Sequence, residues 1–286
     1  MNIATGYVVC RQLDEMVIGK TIRKITANQN PHAFVWFAID PSRVFTDDSA
    51  AVDFSGLLVG KTVDRVNVNT GGYGFFNFLH IGNRALITDI VPRYVAPDEK
   101  VPKRHQLLIE FDDGSALTYS ASLGGAMFLF ETDENGDAIE YKSDFPFVNT
   151  DAFSYDFFKS IIKQTEGKAV SVKQLLATKN RIPGIDNNIL QDILWEARVN
   201  PKTKVISLSK DEIARIFAAV KTVPTDIIEA GGKDTDKDVY GNLGGYKSQV
   251  SRNTLGKPCA RCGETIVKEA YLGGSVFYCP DCQKLS

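Results

Sequence analysis

The chain has 286 residues, 43% hydrophobic and 24% charged, with a formal net charge of −2. That length and apolar share suit two domains with real cores and exclude a disordered or fibrous chain. No run approaches the ~18 uninterrupted apolar residues of a membrane span, and the N-terminus lacks the basic-then-apolar order of a signal peptide, so a cytoplasmic protein is expected. The charge is uneven. Residues 1–150 carry 13 Lys/Arg against 19 Asp/Glu, and residues 151–286 carry 20 against 16. A surface for a polyanion therefore belongs in the second half.

In chain order, apolar groups at 9, 13, 16 and 17 predict a helix over 7–18 that ends at Gly19. Seven β-branched or aromatic segments follow, at 21–27, 33–39, 62–68, 74–80, 85–90, 106–111 and 116–120, separated by turn signals such as Asp112-Asp113-Gly114. Seven or eight short strands at hairpin spacing predict a β-sandwich or barrel rather than a parallel sheet. The polar stretch 131–143 is either a hairpin tip or an interdomain connection.

The second half reads as helical over 155–164, 170–178, 189–198, 210–220 and 225–230. Ser209-Lys210-Asp211-Glu212 has the form of a capping box. Pro183-Gly184 breaks one helix, and Asp186, Asn187 and Asn188 can all cap the next. Such a turn is either a simple helical corner or a phosphate site built on a helix N-terminus. Near the C-terminus, Cys259-x2-Cys262 and Cys279-x2-Cys282 have the spacing of a structural four-cysteine zinc site. The alternative, two disulfides, needs an oxidising compartment. Short strands at 265–267 and 275–278, joined by a turn at 271–274, make the element a zinc-clipped β-hairpin.

Together these give an α+β multidomain chain. A β-sandwich with a flanking helix occupies 1–132, a linker 133–152, a helical domain 153–250, and a zinc finger 251–286. The segment Lys173-Gln174-Leu175-Leu176, the run from Pro183 to Pro201, Val239-Tyr240-Gly241 and the four-cysteine hairpin ending in Gln283 carry a resemblance. Over the second half, and more loosely over the first, the chain resembles the formamidopyrimidine-DNA glycosylase / endonuclease VIII family. The resemblance implies a helix–two-turn–helix module beside a zinc finger, acting as a monomeric clamp on damaged or abasic double-stranded DNA. It implies base flipping, then attack by an N-terminal amine on the sugar C1′ with help from a neighbouring glutamate. Lys173 and Asn187 match its phosphate-binding positions, and Lys247, Arg252, Lys257 and Arg261 form a basic run near the finger.

The chain departs from the family where that chemistry would lie. Asn2 and Ile3 stand where a proline and a glutamate are implied, leaving the Met1 amine as the candidate nucleophile. Gly71-Gly72 replaces a basic residue, 120–125 lacks the intercalating Arg and Phe, and the hairpin tip Gly273-Gly274-Ser275 lacks an arginine. Substitutes to weigh are Asp14 or Glu15 as an acid, Cys10 as a nucleophile, His105 at phosphate and Asp89 as a base, each with an ordinary structural role as the alternative. Two functions follow: a glycosylase or abasic-site lyase with one structural zinc, or a damaged-DNA-binding protein derived from one.

Overall fold

The computed structural model describes every residue except 28–29, 31, 33, 40–52, 72–73, 122–123, 136, 139–142, 180 and 286. Tyr73 and the loop residues Ser122 and Leu123 thus lie outside the described residues, as does part of 131–143. The chain divides into two compact units. The first comprises Met1, Gly6–Asp144 and Asp238–Asn242; the second comprises Asn2–Thr5, Phe145–Lys237 and Leu243–Ser286.

The first unit is a two-sheet sandwich. Strands β1 (Ile22–Ala27), β2 (Val35–Ala38), β3 (Val63–Gly71), β4 (Gly74–Ile81), β5 (Arg84–Thr88), β6 (Pro92–Val95), β7 (Leu107–Phe111), β8 (Ala116–Tyr119) and β9 (Gly125–Glu131) form two sheets. Their orders are β1-β7-β8-β6 and β2-β9-β5-β4-β3. Helix α1 (Ile3–Val17) and the single turn α2 (Ser55–Leu58) complete the elements. Period-two alternation decides which way each strand faces. Leu79, Leu86 and Leu129 of the larger sheet join Ile25, Ile109 and Leu117 of the smaller one, with Val9, Leu13 and Val17 of α1, in one core. Their neighbours Phe78, Ile87 and Phe128 point the other way and build a second apolar layer with Phe76 and Phe130. Each fully buried side chain of this size contributes about 1.5–3 kcal/mol of transfer free energy, so both faces of the larger sheet are held.

The sandwich stands as expected, and β6 and β9 add two strands to the seven segments read from the sequence. β2 and β9 pair in parallel, in a sheet otherwise antiparallel. β9, Gly-Ala-Met-Phe-Leu-Phe-Glu, is buried on both faces until its last residue, so it shows no alternation to read. β6 opens on Pro92, which suits a sheet edge because proline donates nothing to a ladder.

The second unit contains α3 (Tyr155–Lys163), α4 (Val172–Ala177), α5 (Asn187–Ala197), α6 (Lys210–Glu229) and the hairpin β10 (Val267–Tyr271) and β11 (Gly274–Tyr278). Ser171 with Gln174, and Ser209 with Glu212, form reciprocal capping boxes on α4 and α6. The two helices expected over 210–230 are one, with Pro224 inside it. The helix survives because Ile216, Val220, Val223 and Ile227 bury one continuous face around the proline. At the hairpin tip, Leu272 (φ 53°) and Gly273 (φ 71°) are both left-handed, the two-residue loop that matches strand twist. None of the described helices is long and apolar enough to cross a membrane.

Candidate nucleic-acid interface and metal centre

The four cysteine sulfurs of the hairpin lie within 4.8 Å of one another. Cys259 and Cys282 approach to 3.9 Å, Cys262 and Cys279 to 3.4 Å, and all four are free thiols. Zinc–sulfur bonds of about 2.3 Å place tetrahedral sulfurs a little under ~4 Å apart, so the cluster fits one zinc ion. Four thiolates leave no position for water, and such a metal is structural. Trp195 of α5 donates its indole N–H to Cys259 Sγ at 3.3 Å. Trp195, Val250, Ile266 and Cys279 form a small core beneath the hairpin. Gln283 locks the last knuckle by donating to Val199 O and accepting from Cys279 N.

Helix α5 is also held at its other end. Asp186 caps it through Asn188 N and Ile189 N. Asn187 donates to Ser275 O at 2.9 Å, and Gln191 both donates to that carbonyl and accepts from Phe277 N. The metal hairpin and the expected phosphate-binding turn are therefore one bonded assembly.

Lys173 is 4% exposed; it donates to Tyr271 O at 2.7 Å, and burial lowers its pKa. A Cβ at Gly274 would stand 3.5 Å from its Nζ, so the glycine-rich tip closes over the lysine. Arg261 is committed locally. It donates to Trp195 O, pairs with Glu196 at 2.9 Å and stacks 3.8 Å above the Trp195 ring. Lys247 and Lys257 are exposed, and exposed Arg252 donates to Thr235 O.

Asn2 lies at the head of α1 with 3% exposure. Its Oδ1 accepts from Thr5 N at 2.9 Å, making it the helix cap. Its Nδ2 donates to Asp186 Oδ2 at 3.2 Å and to Asp236 Oδ2 at 3.4 Å. Ile3 is fully buried and donates its N–H to Gly184 O of the Pro-Gly turn. Residues 2 and 3 are thus structural, and α1 begins four residues earlier than expected because of this cap. Met1 is half-buried.

Asp236 went unnoticed in the sequence, since its partners lie far along the chain. It accepts from Thr5 Oγ1 at 3.2 Å and from Asn188 Nδ2 at 2.6 Å. Its pKa is raised by burial and by the Asp186 carboxylate, against the pull of Lys233. Close glycine packing fixes its loop. A Cβ on Gly244 would fall 1.9 Å from Gly232 C, so Gly231-Gly232 and Gly244-Gly245 act as a backbone clasp. Asp186, Asn187, Asp236, Arg252, Lys268 and Phe277 contribute to the lining of a cavity of about 560 Å³.

The substitutes weighed from sequence take ordinary roles in the first unit. Asp14 and Glu15 are exposed on α1. Cys10 packs against the core, and burial, then Asp14, push its thiol up to about 11. His105 is buried on Pro102 O, and Asp89 accepts from Ala126 N at the start of β9.

A family profile described as "Zinc finger found in FPG and IleRS" matches residues 256–285. The chain is 28% identical to a formamidopyrimidine-DNA glycosylase of Lactobacillus delbrueckii subsp. bulgaricus, over 96% of each chain. It is 26% identical to that of Enterococcus faecalis, over 97% of this chain and 95% of the other. Among solved structures, Lactococcus lactis Fpg in complex with abasic-site DNA has a TM-score of 0.78 at 21% identity, covering 99% of this chain and all of that one. MutM (Fpg) from Thermus thermophilus has a TM-score of 0.75 at 18% identity, with full coverage of both. At such identities the structures speak for the fold.

Proposed function

We propose that the chain is a formamidopyrimidine-DNA glycosylase family member, as its full-length relatives and its zinc-finger match support, and that it is a DNA-repair protein acting on damaged or abasic duplex DNA. Its reaction class is base-excision glycosylase and abasic-site lyase chemistry, carried out by a monomer in the cytoplasm. The observation that carries the reading is the bonded assembly of α5 and the four-cysteine hairpin. Asn187, Gln191 and Trp195 tie the helix to the hairpin along its length, next to the exposed cations Lys247, Arg252 and Lys257. Such an assembly can grip a phosphate backbone while leaving sequence unread. An extrahelical nucleotide is then the substrate, because chemistry on a stacked base or sugar needs it displaced.

The side chains of residues 2 and 3 take no part, since Asn2 is a buried cap and Ile3 a core residue. The nucleophile is an amine elsewhere, with the Met1 α-amine as the candidate. Lys173 and Asn187 are proposed as phosphate contacts, with Lys247, Arg252 and Lys257 beside them. Arg261, already held by Glu196 and Trp195, contributes through the finger it braces.

Fluorescence anisotropy with abasic and undamaged duplexes tests the binding, and borohydride trapping on abasic DNA with peptide mapping tests the amine. Preference for the abasic duplex with a mapped covalent adduct is expected. Equal binding of both duplexes, or of neither, would overturn the reading.

A further inference from the structure

Resting on the damaged-DNA reading, we propose that Leu272, at the tip of the β10–β11 hairpin, is an apolar wedge that enters the minor groove of a duplex at a weakly stacked step. The tip is a two-residue turn with both central residues left-handed, Leu272 at φ 53° and Gly273 at φ 71°. Such turns favour Asn-Gly, because a bulky side chain at positive φ is strained. Lys179 and Arg198 are the other non-glycine residues at positive φ among the described residues. Both follow a helix, where a left-handed residue is an ordinary ending. Leu272 ends no helix. It is also 47% exposed, so no core burial offsets the strain. Strain of this kind persists where the surroundings fix it, and it collects where ligands are held.

The mount is rigid. Lys173 donates to Tyr271 O at 2.7 Å just before the turn, and Asn187 and Gln191 both donate to Ser275 O just after it. Tyr271 and Gly274 close the strand ladder between these clamps. Beyond them the tip is bare, and a Cβ on Gly273 would meet no atom within 4 Å. A strained apolar group on a fixed, uncovered point suits entry into a partner rather than packing on its own chain.

The charge around the tip selects that partner. Lys268 is exposed on β10, and Lys173 lies beneath the turn. Glu269, the one carboxylate of the two hairpin strands, is paired with Lys202 at 2.6 Å. The tip itself, Leu272-Gly273-Gly274, carries no charge. A polyanion with an apolar recess fits that pattern. The duplex minor groove is one, and leucine is among the side chains that part base steps there. Unstacking costs least where a base is missing or mispaired. The wedge therefore favours a weakened step, and its contact adds damage preference without adding salt dependence.

The test uses the full zinc-loaded chain and a duplex carrying a tetrahydrofuran abasic analogue beside a 2-aminopurine, read by anisotropy and by 2-aminopurine emission. Leu272→Gly is expected to weaken binding about 10-fold, the lower end of what burying one leucine is worth. That factor is expected to be the same at about 50 and 200 mM salt, whereas a lost phosphate contact changes the salt slope. The rise in 2-aminopurine emission on binding is expected to vanish in Leu272→Gly and to return in Leu272→Met. The melting temperature of the free protein is expected to hold, because the strain that glycine relieves offsets the freedom it adds to the unfolded chain. Unchanged binding or unchanged emission in Leu272→Gly overturns the proposal, and so does a loss of affinity that shrinks as salt rises. A melting temperature that falls with the affinity makes Leu272 a packing residue and also overturns it. Self-association of the free protein that Leu272→Gly abolishes in sedimentation assigns the tip to a second copy instead. If the wild type fails to prefer the analogue over undamaged duplex, the damaged-DNA reading falls and this proposal with it. If it does prefer the analogue and Leu272→Gly matches it, the proposal alone falls.

Discussion

Lys233 Nζ lies 2.8 Å from Asp192 Oδ2, with the two side chains 1% and 0% exposed. The lysine also donates to Asn188 O and Oδ1, while Asp192 Oδ1 accepts from Gln249 N and Val250 N. One buried pair thus fastens α5 to the loop after α6 and to the strand of chain entering the finger. Removing one partner leaves a charge with no water and no counterion. Lys233→Met is expected to cost about 3–5 kcal/mol, and Lys233→Met with Asp192→Leu considerably less. Denaturant unfolding of the two variants checks this. Equal losses would mean that packing, not the orphaned charge, sets the cost.

The metal site is expected to bind one zinc per chain. Cys279→Ser removes a thiolate from a closed four-ligand centre, so zinc content measured after metal-replete purification should drop to near zero. The sandwich has its own core and should stay folded. Far-UV circular dichroism together with elemental analysis separates the two effects.

DNA affinity is expected to fall steeply with salt, with a log–log slope of about −0.9 per neutralised phosphate. Replacing Lys247, Arg252 or Lys257 by Gln should reduce that slope. Lys173→Ala and Asn187→Ala should weaken binding by ~1 kcal/mol or more, because the first takes the lysine donor from Tyr271 O, the second leaves Ser275 O to Gln191 alone, and each loses a proposed contact. Arg261→Gln should instead lower the melting temperature and barely move the slope, since its guanidinium is spent on Trp195 and Glu196. A salt-independent affinity would contradict the phosphate grip.

In the first unit, burial and then Arg65 lower the pKa of His80 to about 4. The native state therefore holds the imidazole neutral where the unfolded chain would protonate it, from ~6.5 downward. Stability from this residue is present above that pH and is lost as pH falls toward 4. Urea midpoints taken across pH 4–8 should show the decline, and His80→Gln should flatten it.

What the sequence revealed was local. The zinc knuckles, the capping box at Ser209 and most sandwich strands declare themselves within a few residues. The misses share a different cause. The start of α1 is the Asn2 cap on Thr5 N, and that cap is anchored by Asp186 and Asp236, partners more than half the chain away. Asn2 and Ile3 stand out in the sequence for the residues they replace, whereas their fitness as a cap and a core residue is the more telling property. β9 looks like an apolar run behind a glycine pair because both its faces are buried. Pro224 reads as a helix stop, yet a buried face on each side of it outweighs one missing donor.

The indole of Trp195 is hydrogen-bonded to one of the four thiols and covered by the Arg261 guanidinium. The chain has only one other tryptophan, Trp36, which lies in the first unit. Indole emission from a Trp36→Phe protein would come solely from a fluorophore in contact with the metal cage. Since Trp195 sits on the same helix as Asn187, that emission would report at once whether the cage is filled and whether the turn proposed to bind phosphate is held in place.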